Sequence, residues 1–103
     1  MTEPHPAVNL DDTVHQRIRL GILALLSSGV ALEFGSLREQ LHLTDGNLNR
    51  HLKVLEDAAL VAARRTTGRG RPKTWITITD PGRVAFGAEL TALRAIIATA
   101  EHP

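Results

Sequence analysis

The stretch "LTDGNLNRHLKVLEDAAL", Leu43 to Leu60, decides the fold. Leu48, Leu52 and Leu55 recur at helical spacing, with Ala59 close to the same stripe. Thr44 stands where a helix wants a capping side chain. Yet the first turn, Asp45, Gly46 and Asn47, is almost bare of apolar bulk. Glycine costs a helix interior about 1 kcal/mol relative to alanine. A helix with so little at its tip is either merely capped there or built to let something come close.

On the N-terminal side, "SLRE", Ser36 to Glu39, has the spacing of a capping box. It predicts a short helix with Leu37 and Leu41 one turn apart, closed by a tight turn at "HLT". The two helices together read as helix-turn-helix. "VALEF" before them can pair as a small strand.

On the C-terminal side the period changes from helical to alternating. "VAARRTTGRGRPKTWITIT" reads as two strands joined by a glycine-rich loop. Ile76 and Ile78 share one face; Trp75, Thr77 and Thr79 take the other. "TDPGR" then starts a helix, with Asp80 as cap and Pro81 in the first turn. That last helix, about 80–101, carries Phe86, Leu90, Leu93, Ile97 and Ala100 at alternating spacings of four and three, a two-helix seam.

The first helix is expected to start near Asp11 or Asp12, with Thr13 as a third capping candidate, and to end at "SSG", where Gly29 suits a left-handed position. Val14, Ile18, Ile22, Leu25 and Leu26 form its main apolar face. Leu20 and Leu23 form a second strip, available to a partner. Residues 1–10, with Pro4 and Pro6, read as a flexible arm, leaving one domain over 11–103. The fold class is therefore mainly α with a small β-hairpin (α+β). Its order of helix, short strand, helix, helix, hairpin, helix is that of a winged helix-turn-helix.

Bulk properties narrow the function. The 103 residues are 43% hydrophobic and 22% charged, with no cysteine, which removes disulfides, thiolate metal sites and cysteine nucleophiles. The opening residues lack the basic and apolar regions of a signal peptide, and no apolar run approaches the roughly 18 residues of a membrane span. The net charge is only +1, but Arg64, Arg65, Arg69, Arg71 and Lys73 fall within ten residues that hold no acid. A basic segment on an otherwise acidic chain implies a defined anionic contact.

With "FGSLREQLHLTDGNLNRHLKVLEDAALV" followed by "GRGRPKTWITITDPGR", the chain resembles the small winged-helix bacterial transcriptional regulators related to the MarR and ArsR families. The resemblance runs from about Asp12 to the end of the last helix. It implies a cytoplasmic homodimer that binds operator double-stranded DNA near a promoter. A repressor is the favoured role, because no spare domain is present to recruit polymerase.

Physical chemistry assigns roles within that frame. A recognition helix, here about 44–58, enters the major groove tip first, and the groove is about 12 Å wide. Thr44, Asp45 and Gly46 leave room for approach. Asn47 and Asn49 can present amides to adenine, and Arg50 can fork onto guanine or meet a phosphate. Lys53 suits the backbone. Ser36 and Arg38, opening the preceding helix, are candidate phosphate contacts. The wing, about 64–73, offers Arg64, Arg65, Arg69, Gly70, Arg71 and Lys73. Its "RGRP" also looks like the core of an AT-hook, so minor-groove insertion and simple phosphate contact both stand. Leu20, Leu23, Phe86, Leu90, Leu93, Ile97 and Ala100 are the expected dimer interface.

No catalytic constellation is readable, and no cofactor is implied. Five histidines raise the question of a metal sensor, but they show no ligand spacing. His51 reads as a partly buried or surface histidine, and Trp75 as a packing residue. Two other readings stay open: a ligand- or metal-responsive sensor whose output is DNA binding, and a winged helix used for protein contact.

Overall fold

A computed structural model describes residues 2–68 and 70–103. It contains a 3₁₀ turn at Pro6–Asn9, then α1 (Arg17–Leu26), β1 (Leu32–Glu33), α2 (Phe34–Gln40), α3 (Asp45–Asp57), β2 (Val61–Thr66), β3 (Lys73–Ile78) and α4 (Asp80–Glu101). The strands form one antiparallel sheet in the order β1-β3-β2. In its register Leu32 faces Ile76, Val61 faces Ile78 and Thr66 faces Lys73. This is the winged-helix order.

The core is aliphatic. Ile18, Ile22, Leu23 and Leu26 of α1 meet Leu37, then Leu48, Leu52 and Leu55 of α3, with Ile76, Ile78 and Phe86 closing it. The alternation of β3 works as expected: Ile76 and Ile78 are buried, while Trp75 and Thr77 are half-exposed on the other face. Burying such side chains contributes roughly 1.5–3 kcal/mol each.

Several boundaries differ from those expected. The Asp11 region forms only an isolated turn, closed by Thr13 N–H donating to Asp11 Oδ1 at 2.8 Å. The helix proper starts at Arg17, because Gln16 Oε1 accepts from both Ile18 and Arg19 backbone N–H groups. At α2 the capping box does not form. β1 runs directly into the helix, which places Ser36 inside it, where its hydroxyl accepts from Gln40 Nε2 at 2.9 Å. Thr79, not Asp80, caps α4 by accepting from Gly82 N–H, so Asp80 is the first helical residue. Ala59 lies beyond the end of α3, exposed and at φ +62°, and so adds nothing to the leucine stripe. Gly29 does take the left-handed conformation, at φ +88°.

The junction of α3 with α4 is tight. Thr79 Oγ1 donates to the Ala59 carbonyl at 2.7 Å, and the Thr79 N–H donates to the Leu60 carbonyl at 3.1 Å. A Cβ on Gly82 would lie 2.1 Å from that Leu60 carbonyl oxygen. Only glycine lets α4 start this close to the turn that follows α3. At 22 residues, α4 is about 33 Å long, against molecular cross-sections of 25 and 21 Å.

Leu23 and Phe86, expected at a dimer seam, belong instead to this chain's own core, at 0% and 9% exposure. Leu20 and Leu90 are half-buried against the same core. The stripe continues past the body as Leu93 and Ile96, half-exposed, and Ile97 and Ala100, exposed. The segment read as an arm holds its 3₁₀ turn beside α4, with His5 Nδ1 accepting from the Ala7 N–H.

Candidate nucleic-acid interface

The tip of α3 is built as its sequence suggests. Thr44 Oγ1 accepts from the Asn47 N–H at 3.2 Å, capping the helix. Leu48, Leu52 and Leu55 anchor the inner face, which turns Gly46, Arg50 and Lys53 outward. A Cβ built on Gly46 would meet nothing within 4 Å. No internal packing demands glycine there, so the missing side chain leaves space only for something outside the molecule.

The polar groups around that space are partly paired. Arg38 Nη1 donates to Asp45 Oδ1 at 2.7 Å, and Asp45 in turn holds the guanidinium above its usual pKa. This pair sets a cation beside an acid that would otherwise repel phosphate. Arg50 Nη2 donates to Asn47 Oδ1 at 2.8 Å. Asn47 is left with its amide N–H groups as donors, and with its oxygen engaged it is less suited to the two-bond pairing with adenine. Lys53 Nζ lies 3.5 Å from Asp57 Oδ2, both exposed. Asn49 is exposed on the flank toward the sheet.

A groove of about 340 Å³ joins α3 to the first half of β3. It is lined by Asn49, Lys53 and Glu56 of α3 and Thr74 of β3, over a floor of Phe34, Leu52 and Ile76. The middle of α3 and the start of β3 therefore border one concave side. Arg64, Arg65 and Lys73 are exposed on the strands of the hairpin, and Gly70 and Arg71 are exposed in its loop, with Gly70 at φ +88°. Arg64 and Arg65 point to opposite faces of the ribbon, as neighbours in a strand must. Arg69 lies outside the described residues.

The basic side chains that α1 brings beside α3 escaped sequence reading. His51, on the α1 side of α3, has its pKa lowered from the ordinary 6.5 by burial, then by Arg19, Arg50 and Arg17. Arg17 and Arg19 thus add positive charge from α1 to the flank of α3. The "RIR" at 17–19 was the available signal; helical spacing alone did not say which element those arginines would face. Thr74 and Glu56 were likewise missed as lining residues. Among the described residues, no group of three or more His, Cys, Asp or Glu could hold a metal ion, and no helix is long and apolar enough to cross a membrane.

Comparison with known proteins agrees with this geometry. A family model described as a winged helix DNA-binding domain matches residues 18–97. An uncharacterised protein of Methanocaldococcus jannaschii is 51% identical over 69 residues, covering 67% of this chain and 75% of that one. The structure of a transcriptional regulator homologue from Pyrococcus horikoshii OT3 is 30% identical, with a TM-score of 0.84 over 91% of this chain and 94% of the other. A structure assigned to the MarR family of transcriptional regulators, from Enterococcus faecalis V583, has a TM-score of 0.78 at 21% identity, over 98% and 92% of the two chains. The sequence resemblance points to bacterial regulators, whereas the Methanocaldococcus relative is archaeal, so the group is wider than bacteria. With that match across most of its length, and with a helix-turn-helix and basic hairpin in place, the chain belongs to the winged helix DNA-binding domain family.

Proposed function

We propose that this protein is a homodimeric transcriptional repressor, located where DNA is, that sets α3 in the major groove and its basic hairpin along the flanking minor groove or phosphates. The observation that carries this reading is the empty space at Gly46. The chain accepts a poor helix former at a position where its own packing gains nothing from it. A groove wall of base edges is what such a tip fits.

The contacts divide by chemistry. Thr44, Gly46, Asn47 and Arg50 stand at the base edges, with Asn49 and Lys53 on the flank leading to the groove below β3. Ser36, Arg38, Arg64, Arg65, Arg71 and Lys73 serve the phosphates, and Arg71 with Gly70 is the part of the hairpin suited to an A·T minor groove. Dimerisation is supported by the distal α4 stripe of Leu93, Ile96, Ile97 and Ala100, which the chain's own core leaves uncovered. Two recognition helices about 34 Å apart would then read successive turns of a two-fold site.

Selection of bound duplexes from genomic fragments tests this directly. A two-fold site with half-sites one helical turn apart is expected, with affinity falling steeply as salt rises. Failure to shift any duplex at low salt would remove the reading and favour a protein partner for the hairpin.

A second reading, in which a small molecule modulates DNA binding, rests on a cavity of about 310 Å³ between the end of α1 and the start of α4, lined by Ser27, Ile78, Arg83, Phe86, Gly87 and Leu90.

A further inference from the structure

The segment between the 3₁₀ turn and α1 is held from two sides by charged groups. On one side Arg19 spends its whole guanidinium on it and on α3. Nε donates to the Thr13 carbonyl at 2.5 Å, Nη2 to the Asp12 carbonyl at 3.2 Å, and Nη1 to His51 Nδ1 at 3.1 Å. On the other side stands Glu89 of α4, only 1% exposed. Its Oε1 accepts from the Asp11 N–H at 3.3 Å, and its Oε2 meets His15 Nδ1 at 2.7 Å. Residues Asp11 to His15 are thus a bracket fastened to α4, and Arg19 braces the recognition helix against it.

The brace supplies something the core does not. Leu48, Leu52 and Leu55 fix which face of α3 is buried, but apolar contact is non-directional and tolerates small rotations about the helix axis. A hydrogen bond to a ring nitrogen is directional. His51 lies between Arg50, which faces outward, and the buried Leu52, so a tether at His51 bears on the direction in which Arg50 points. Burial and the neighbouring arginines keep the imidazole neutral, which leaves Nδ1 a lone pair to accept with. Arginine suits the task because its planar fork holds three bonds at once, which an ammonium group on a flexible stem would not.

We propose that Arg19 is a positioning residue for DNA recognition: through His51 it sets the rotation of α3, using the Asp11–His15 segment, pinned to α4 by Glu89, as its abutment. This role rests on the DNA-binding reading above and adds to it a path by which the placement of α4 reaches the recognition helix.

The test uses the full chain and a duplex selected by the wild-type protein, with affinity measured by fluorescence anisotropy over a salt series and folding checked in urea. Arg19→Met and His51→Leu are each expected to weaken binding about tenfold, and the double variant no more than either alone. His51→Gln, whose amide oxygen can still accept from Arg19, should stay within about threefold of wild type. The slope of log affinity against log salt should be unchanged in Arg19→Met. Arg19→Lys, which keeps the charge and stem, should fall between wild type and Arg19→Met, and it stands in if the latter does not fold. Wild-type affinity in folded Arg19→Met, losses that multiply in the double variant, or a salt slope reduced by about one phosphate contact would overturn the role while leaving DNA binding intact. A wild-type chain that binds no duplex overturns the DNA reading, and this role with it.

Discussion

His15 Nδ1 lies 2.7 Å from Oε2 of Glu89, although 74 residues separate the two in sequence. The contact is lopsided: the His15 side chain is 46% exposed and that of Glu89 fully buried. It fastens the N-terminal segment to the middle of α4.

That asymmetry sets the order of two substitutions. Removing the histidine leaves a buried carboxyl group with one long backbone bond, whereas Glu89→Gln keeps an acceptor for the Asp11 N–H. His15→Ala should cost about 2 kcal/mol of unfolding free energy and Glu89→Gln about 1 kcal/mol or less. Urea denaturation at neutral pH measures both, and the reverse order would contradict the pairing.

Acid should loosen the fold through His51. Its folded pKa lies below the ordinary 6.5, lowered first by burial and then by Arg19, Arg50 and Arg17. Above that value both the folded and the unfolded chain hold a neutral ring, and the contribution is complete. As pH falls below it the unfolded chain takes up the proton first, so stability declines until the folded ring also titrates. Urea midpoints between pH 8 and pH 5 should show this decline, and His51→Gln should make it shallower.

Two leucines separate the core from the seam. Leu23 is fully buried, so Leu23→Ala should cost about 2–5 kcal/mol through the cavity it leaves. Leu93 is half-exposed on the distal stripe of α4, so Leu93→Asp should leave a folded monomer with weaker operator affinity. Light scattering and urea titration distinguish them; a Leu93→Asp dimer of unchanged mass would move the seam elsewhere.

At the hairpin, Arg71→Ala should weaken binding to sites with A·T flanks more than to sites with G·C flanks, because narrow A·T grooves concentrate negative potential. Equal loss on both would assign Arg71 to phosphate alone.

Much of the architecture was legible because it depends on local spacing. The leucine stripe of α3, the Thr44 cap and the alternation of Ile76 and Ile78 each involve residues a few positions apart, and all appear in the structure. What was not legible depends on distant partners or on competition between adequate signals. Asp11 can start a turn, but Gln16 satisfies two N–H groups and so starts the helix. Ser36 and Glu39 have capping-box spacing, yet β1 pairs with β3 and carries the chain into α2 three residues earlier. Leu23 and Phe86 share helical periodicity with a seam, and periodicity does not say whether the covering surface belongs to the same chain. Glu89 gave no signal, because its partners lie at the far end of the sequence.

The most direct measurement pairs stability with affinity in Gly46→Gln. The open surroundings of Gly46 admit a larger side chain, and glutamine is the better helix former, so the variant should be no less stable than wild type and up to about 1 kcal/mol more stable. Its affinity for the selected duplex should fall at least tenfold, on the order of 1.4 kcal/mol, as the added side chain holds the helix out of the groove. A stable Gly46→Gln protein that binds DNA as tightly as wild type would show that α3 does not enter the groove by its tip.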